Sequence, residues 1–213
     1  MAAPLNTIEI RILGSLMEKA LATPEYYPLS VNALTNACNQ KSNRDPVAAY
    51  SESEVQATLD GLEEKGLVNQ SRIGRVPKYE EYLSREHNLV PREIAALCVL
   101  MLRGPQTAGE IRSRSGRLYA FEHLEAVAET LEKLADWGLA ERMGRLPGHK
   151  EARFTHLLGD GSPPPEFTSE EILPEGQAPL GERIAILESE LSALQEEMAA
   201  LKAAFQAFKA QFE

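Results

Sequence analysis

The segment IGRVPKYEEY, from Ile73 to Tyr82, has a counterpart 70 residues later in MGRLPGHKEARF, from Met143 to Phe154. Both contain Gly-Arg-aliphatic-Pro, and both follow a stretch with the sequence KGLV or WGLA. Since strand-like runs stand on each side of a Gly/Pro turn, each segment predicts a two-stranded hairpin. The repetition indicates that one structural unit occurs twice in this chain.

Three predicted helices precede each hairpin. The first follows an i, i+3, i+6, i+7 apolar pattern that starts at Ile10, just after Glu9, and recurs 84 residues later. The second is short and begins after the N-cap residues Ser30 and Thr107, at an offset of 77. The third recurs at an offset of 72 and ends at Gly66 and Gly138, which suit the left-handed position after a helix.

The falling offsets place the length changes in connections, as expected for two divergent copies of one fold. Three helices in helix-turn-helix order closed by a hairpin form a winged helix-turn-helix. We therefore expect a mainly α protein with small β-hairpins, built from two tandem winged helix-turn-helix domains and a C-terminal coiled-coil helix. The predicted boundaries are 1–86 and 87–158 for the winged helices, 159–179 for a Pro/Gly-rich linker, and 180–213 for the coiled coil.

Four segments resemble the signature segments of the YceH-like family of bacterial proteins: NQKSNRDP (39–46), SESEVQATLDGLEEKGLV (51–68), RGPQTAGEIRSRS (103–115) and EARFTHLL (151–158). The resemblance covers roughly residues 6–158, which include both repeats. It implies a tandem winged-helix fold, in agreement with the helix and hairpin pattern. It implies little about activity, because the family is described chiefly by its fold.

Composition excludes several classes of protein. The chain has 213 residues, of which 43% are hydrophobic and 25% charged, as in ordinary globular proteins. Its longest apolar runs are far shorter than the roughly 20 residues that cross a bilayer, and no signal-peptide pattern precedes them. We expect a cytoplasmic protein without a membrane partner. Cys38 and Cys98 are interpreted as small buried apolar residues, since neither has a partner at metal-ligand spacing.

The sequence offers little for catalysis. None of the common phosphate-binding or catalytic signatures occurs. The four histidines, His87, His123, His149 and His156, lack paired metal-ligand spacing. We therefore expect no enzyme activity, no cofactor and no metal site.

The net charge of −10 is unevenly distributed. Residues 159–213 hold eleven Asp/Glu and three Lys/Arg, a balance of −8, which leaves −2 for the rest of the chain. The two repeats are therefore nearly neutral, and their basic residues concentrate near the turns and hairpins. A nucleic-acid partner is compatible with such a charge distribution.

The basic residues make double-stranded DNA one expected partner, with contact to phosphates. The candidates are Lys41, Arg44, Arg72, Arg75 and Lys78 in the first copy, and Arg112, Arg114, Arg117, Arg142, Arg145 and Lys150 in the second. His149 and Arg153 stand beside the second hairpin turn. Both third helices are acidic, which makes them poor probes of the major groove. The alternative is an interaction scaffold that binds a protein partner through the winged-helix faces and the coiled coil, without DNA binding.

The C-terminal segment predicts self-association. Ten apolar residues alternate at spacings of four and three: Leu180, Ile184, Leu187, Leu191, Leu194, Met198, Leu201, Phe205, Phe208 and Phe212. This is an a/d heptad pattern, and it favours a homodimeric coiled coil. The alternative is one amphipathic helix packed on its own domain.

The motif SNRDP, residues 42–46, is typical of a turn. It is followed by Ser51 and Glu54, which predict a capping box for the third helix. Turn chemistry does not account for Arg44. Its guanidinium either pairs inside the protein, with Asp45 or Glu52, or points outward to a phosphate or a partner carboxylate. The internal pair is slightly favoured.

Overall fold

The structure of the chain is a computed structural model, and it describes residues 4–71, 76–144 and 151–159. These residues belong to Met1–Pro164, the first of two compact units into which the chain divides. Several predictions fall outside the described residues. They are the linker beyond Gly159, the coiled-coil helix at 180–213, and the hairpin residues Arg72, Arg75, Arg145 and Lys150.

The first half contains three helices and a strand pair: α1 (Thr7–Ala22), α2 (Val31–Cys38), α3 (Glu52–Glu64), β1 (Val68–Ser71) and β2 (Lys78–Glu81). The predicted N-caps are confirmed. Ser30 Oγ accepts from the backbone N–H of Ala33, and Ser51 forms a capping box with Glu54. Gly66 follows α3 with φ of 72°, a left-handed conformation that favours glycine.

A short helix, α4 (Leu83–Glu86), leads into the second half. The second half then repeats the order with one added strand: α5 (Pro91–Arg103), β3 (Gln106–Thr107), α6 (Ala108–Ser115), α7 (Leu124–Asp136), β4 (Ala140–Arg142) and β5 (Arg153–His156). Thr107 caps α6 through a capping box with Glu110, and Gly138 after α7 has φ of 69°. The protein is therefore mainly helical, with two small antiparallel sheets.

A strand before the second helix was missed by the sequence prediction. In the second half, β3 pairs with β5 to give the strand order β3-β5-β4. In the first half, Leu29 and Tyr79 exchange backbone hydrogen bonds of 3.1 and 2.7 Å. The chain entering the second helix therefore pairs with the last hairpin strand in both halves. Its two-residue length explains why no alternating pattern marked it.

Equivalent glutamates begin the two long helices. Glu9 accepts from the backbone N–H of Asn6, and Glu93 accepts from that of Val90. Each carboxylate also pairs with a lysine from its own half. Glu9 pairs at 2.6 Å with Lys65, which directly follows α3, and Glu93 pairs at 3.8 Å with Lys133 of α7. The repeat is therefore visible in polar contacts as well as in apolar spacing.

The two halves share one hydrophobic core, in which α1 packs on α5. Gly14 of α1 permits the close approach, because a Cβ there would lie 3.0 Å from Leu102 Cδ2. The Cys98 thiol donates to the Gly14 carbonyl at 3.4 Å. Gly14 and Cys98 are 84 residues apart, so equivalent positions of the repeat meet, as in an interface with two-fold symmetry.

Two further expectations can be compared with the described residues. Cys38 and Cys98 are buried free thiols, which confirms the interpretation of both as small buried residues. No helix within the described ranges is long and apolar enough to span a membrane.

Candidate anion-binding cleft

A cleft of about 760 Å³ lies where the two halves meet. The C-terminal ends of α1 and α5 form its walls, and residues 40–43 of the α2–α3 loop form one edge. The end of α6 and the turn after it form the opposite edge. The cleft exists only because α1 and α5 pack together.

Five cationic side chains line this cleft: Lys19, Lys41, Arg103, Arg114 and Arg117. One carboxylate, Glu18, lines it with them. We call these five residues the cationic set. Three of them, Lys41, Arg114 and Arg117, were candidates from the sequence, and the structure brings these three together from both repeats.

Glu18 offsets only part of the charge of the cationic set, because it is shared between Arg44 and Lys19, whose Nζ lies 3.8 Å from Oε2. The side chains of Arg44 and Glu18 form a bidentate pair, with Nη2 to Oε2 at 2.6 Å and Nη1 to Oε1 at 3.1 Å. Arg44 also donates to the backbone carbonyl of Ala37 from Nε and Nη2, at 3.0 and 2.7 Å. Bidentate charge-assisted contacts of this kind are the stronger hydrogen bonds of proteins.

The prediction that Arg44 binds a phosphate or a partner protein is therefore wrong. Only 5% of the residue is exposed, so its guanidinium cannot reach a phosphate or a partner protein. The favoured internal pairing is confirmed, but the partner is Glu18 and not Asp45 or Glu52. The sequence suggested Asp45 and Glu52 because they are close to Arg44 along the chain. Glu18 lies on α1 and reaches the loop only through helix packing.

The members of the cationic set differ in what holds them. Lys41 and Arg117 are exposed, and within the described ranges neither has a hydrogen-bond or ion-pair partner. Arg103 donates to the side chain of Asn43. Arg114 contacts the side chain of Gln106 and lies 3.6 Å from the Glu110 carboxylate. Lys19 Nζ lies 3.8 Å from the Glu18 carboxylate. Of the five cations, two are therefore free within the described ranges and three have partners.

Electrostatics within the cleft are repulsive. Burial lowers the pKa of Arg103, and the charge of Arg114 lowers it further. A guanidinium whose neighbours disfavour its charge gains when an anion enters, because opposite charge favours the ionised form. The arrangement is suited to binding a multiply charged anion.

Other sequence candidates lie outside the cleft. Arg112 donates to the backbone carbonyls of Glu122 at 2.7 Å and Phe121 at 3.4 Å, so it braces the loop before α7. Lys78 and Arg142 are exposed on β2 and β4. Arg153 donates to the Pro105 carbonyl at 2.7 Å and lies 3.2 Å from Glu110. Arg112 and Arg153 therefore hold the second half together.

Sequence reasoning missed Lys19 and Arg103. They are 84 residues apart, so they occupy equivalent positions in the last turns of α1 and α5. A basic residue at the same position of both copies was the signal that could have found them.

The carboxylates of the third helices form exposed acidic faces. On α3 the exposed acids are Glu52, Glu54, Asp60, Glu63 and Glu64, and on α7 they are Glu125, Glu129, Glu132 and Asp136. Within the described ranges, no group of three or more His, Cys, Asp and Glu side chains is arranged to hold a metal ion. These faces are solvated acidic surfaces.

Fold and site together define a mainly helical protein with two small antiparallel sheets and a basic cleft between two similar halves. The family described as "Protein of unknown function, DUF480" matches residues 5–149. The chain belongs to this family.

Relatives of high similarity span most of the chain. A UPF0502 protein of Geobacter sulfurreducens is 50% identical over 198 residues, covering 87% of this chain and 88% of its own length. A UPF0502 protein of Solibacter usitatus is 46% identical, covering 87% and 90%. One of Koribacter versatilis is 52% identical over 157 residues, covering 72% and 73%.

A solved structure of ScpB from Mycobacterium tuberculosis is 17% identical and covers 72% of this chain and 93% of its own. Its TM-score is 0.25, which is too low to support a conclusion about this protein.

Proposed function

We propose that this protein is a non-enzymatic tandem winged-helix protein that binds nucleic acid through phosphate contacts and acts as a regulator. The winged-helix assignment is supported by the helix, strand, helix, helix and hairpin order of residues 91–156. Residues 7–81 follow the same order, with Leu29 in place of the early strand. A DNA-binding role is a common use of this helix-turn-helix arrangement.

One observation supports nucleic acid above other partners. Lys41 of the first half and Arg114 and Arg117 of the second half, all near helix-turn-helix connections, line the same cleft. Lys41 and Arg117 are exposed, so both are available for phosphate oxygens. Each phosphate neutralised by a cation releases condensed counterions, which stabilises the complex in a salt-dependent way.

The acidic surfaces of α3 and α7 argue against contact between these helices and DNA. α3 and α7 expose nine carboxylates in total, five on the first and four on the second. Carboxylates repel phosphate, and only an occasional one is useful for reading cytosine. The proposed complex therefore relies on the cationic set and the basic hairpins. It is positioned by phosphate contacts and has little sequence specificity.

The test is a fluorescence titration of a random-sequence duplex at about 50 mM and about 200 mM salt. We expect binding at low salt that weakens steeply at high salt. Lys41→Glu and Arg117→Glu should each lower the affinity and flatten the salt slope. Arg85→Glu is the matched control, because Arg85 is exposed but lies outside the cleft and the hairpin strands.

The hairpin contribution is tested separately with Arg75→Glu and Arg145→Glu, which should weaken duplex binding in the same titration. No binding at low salt would refute the proposed function. Equal losses for Arg117→Glu and Arg85→Glu would also refute it, because the effect would then reflect net charge alone.

The second candidate function is a protein-interaction scaffold without DNA binding. The observation that favours it is the exposed acidic faces of α3 and α7, which complement a basic partner segment. The test is calorimetric titration with a lysine-rich peptide. Glu63→Lys and Glu129→Lys should each weaken binding. A peptide that binds these variants as tightly as the parent protein would refute the scaffold hypothesis.

A further inference from the structure

The cleft has the size of a small-molecule site. Its volume of about 760 Å³ falls in the range of roughly 300–1,000 Å³ typical of ligand pockets. Nucleic-acid contact at its rim leaves this interior unexplained. The interior is built by two α-helices, α1 and α5, whose packing is fixed by the close contact at Gly14. The site is therefore carried by regular elements of the shared core.

The charge of the cleft favours an anion with several charges. Five cations line the cleft with one carboxylate, and Arg44 bonds to both oxygens of that carboxylate, which also lies 3.8 Å from Lys19 Nζ. Lys41 and Arg117 have no partner within the described ranges. A single-charge anion could not reach both free cations, which lie on opposite edges, whereas a chain of two or three phosphates would engage cations from both edges.

An apolar wall stands beside these cations. Ala22, Val99, Leu102 and Leu118 line the same cleft. Ala22 is exposed and Leu118 is half-buried, so both can contact a ligand, while Val99 and Leu102 belong to the core. A flat ring gains from such a wall by burying apolar surface, and it fits beside charged groups that orient the rest of the ligand.

We propose that the cleft binds a nucleoside di- or triphosphate, with the phosphates on the cationic set and the base against the apolar wall. Arg114 and Arg103 are held by Gln106 and Asn43, so they supply a fixed part of the phosphate site. Lys41 and Arg117 close on the ligand from opposite edges. The loop 40–43 is anchored beside the site by the Arg44–Glu18 pair and by the backbone bond from Asp45 N to Leu102 O at 2.9 Å.

Regulation follows from the position of the site. Phosphates of a nucleotide and phosphates of nucleic acid would use the same cations, so the nucleotide should displace nucleic acid. This consequence rests on the proposed function, whereas the nucleotide site itself does not.

The test is isothermal titration calorimetry of the full chain with ADP, pyrophosphate and adenosine. We expect saturable binding of ADP at one site, weaker binding of pyrophosphate, and no measurable binding of adenosine. Lys41→Glu and Arg117→Glu should each weaken ADP binding at least tenfold. Arg142→Glu is the matched control, since it reverses an exposed cation outside the cleft and should leave ADP affinity unchanged.

Leu118→Ala probes the apolar wall and should weaken ADP binding more than pyrophosphate binding. Circular dichroism establishes that each variant is folded. Three outcomes would overturn the proposal: no saturable ADP binding, equal losses for Arg117→Glu and Arg142→Glu, or pyrophosphate binding as tight as ADP.

The duplex titration separates this inference from the proposed function. ADP binding without duplex binding would support the nucleotide site and refute nucleic-acid binding. Duplex binding without ADP binding would support the proposed function and refute the nucleotide site.

Discussion

The buried pair between Glu18 and Arg44 should control the stability of this fold. The Arg44 side chain has no exposed surface, and that of Glu18 is 10% exposed. Glu18→Gln removes the compensating charge and leaves a buried guanidinium with only neutral acceptors, which are the side-chain amide oxygen and backbone carbonyls. Breaking a buried pair on one side costs about 3–5 kcal/mol, because the remaining charge is uncompensated.

The measurement is urea unfolding followed by far-UV circular dichroism. With a slope of about 1–3 kcal/mol per M, the unfolding midpoint should fall by about 1–5 M. The double replacement Glu18→Leu with Arg44→Met should cost less than the sum of the single changes, since it removes both charges together. The expected coupling free energy is therefore large.

The matched control is the more solvent-exposed pair of Arg85 and Glu80, whose side chains are 62% and 23% exposed, with Nη2 to Oε2 at 3.5 Å. Glu80→Gln should leave the midpoint unchanged within error, because exposed pairs are screened by solvent. If Glu18→Gln shifted the midpoint no more than Glu80→Gln, the argument from burial would be wrong.

Three other predictions follow from the packing, a half-buried histidine and the C-terminal heptads. Gly14→Leu should lower the free energy of unfolding by about 1–3 kcal/mol, because the new side chain would overlap with Leu102. Gly61→Ala should instead raise the free energy of unfolding by about 0.5–1 kcal/mol in the same urea assay, because a Cβ at this helical position meets open space. Burial lowers the pKa of His156 to about 4, below its unfolded value of about 6.5, so stability should fall by about 3 kcal/mol as the pH drops from 6.5 to 4. His156→Phe should flatten that pH dependence, and an unchanged slope would show that other groups cause it. Light scattering should find a dimer for the full chain and a monomer for a chain ending at Gly159; two monomers would refute coiled-coil dimerisation.

Local structure followed closely from the sequence because its signals are short-range. Ser30, Ser51 and Thr107 cap the helices as predicted, since a cap depends only on residues within one turn. Gly66 and Gly138 adopt the predicted left-handed conformation for the same reason. The hairpin strands also fall where the Gly/Pro turns placed them. The sequence prediction missed β3 because a strand of two residues is too short to show an alternating pattern.

The site was predictable only in part. Lys41, Arg114 and Arg117 were found as basic residues near turns, but their common location was not. Lys41 lies more than 70 residues before the two arginines in the sequence and meets them because α1 packs on α5. Arg112 was a candidate on the same grounds, yet its guanidinium is used by backbone carbonyls of the next loop.

The sequence by itself determined the repeated order of helices and hairpins, because caps, turns and apolar periods act over a few residues. Tertiary structure alone decided that Arg44 is buried against Glu18 and that Lys19 and Arg103 join the basic cleft. The physical reason is that burial and charge pairing depend on which surfaces meet. In this protein the two surfaces that meet are those of α1 and α5, and Gly14 allows these helices from different repeats to come into close contact.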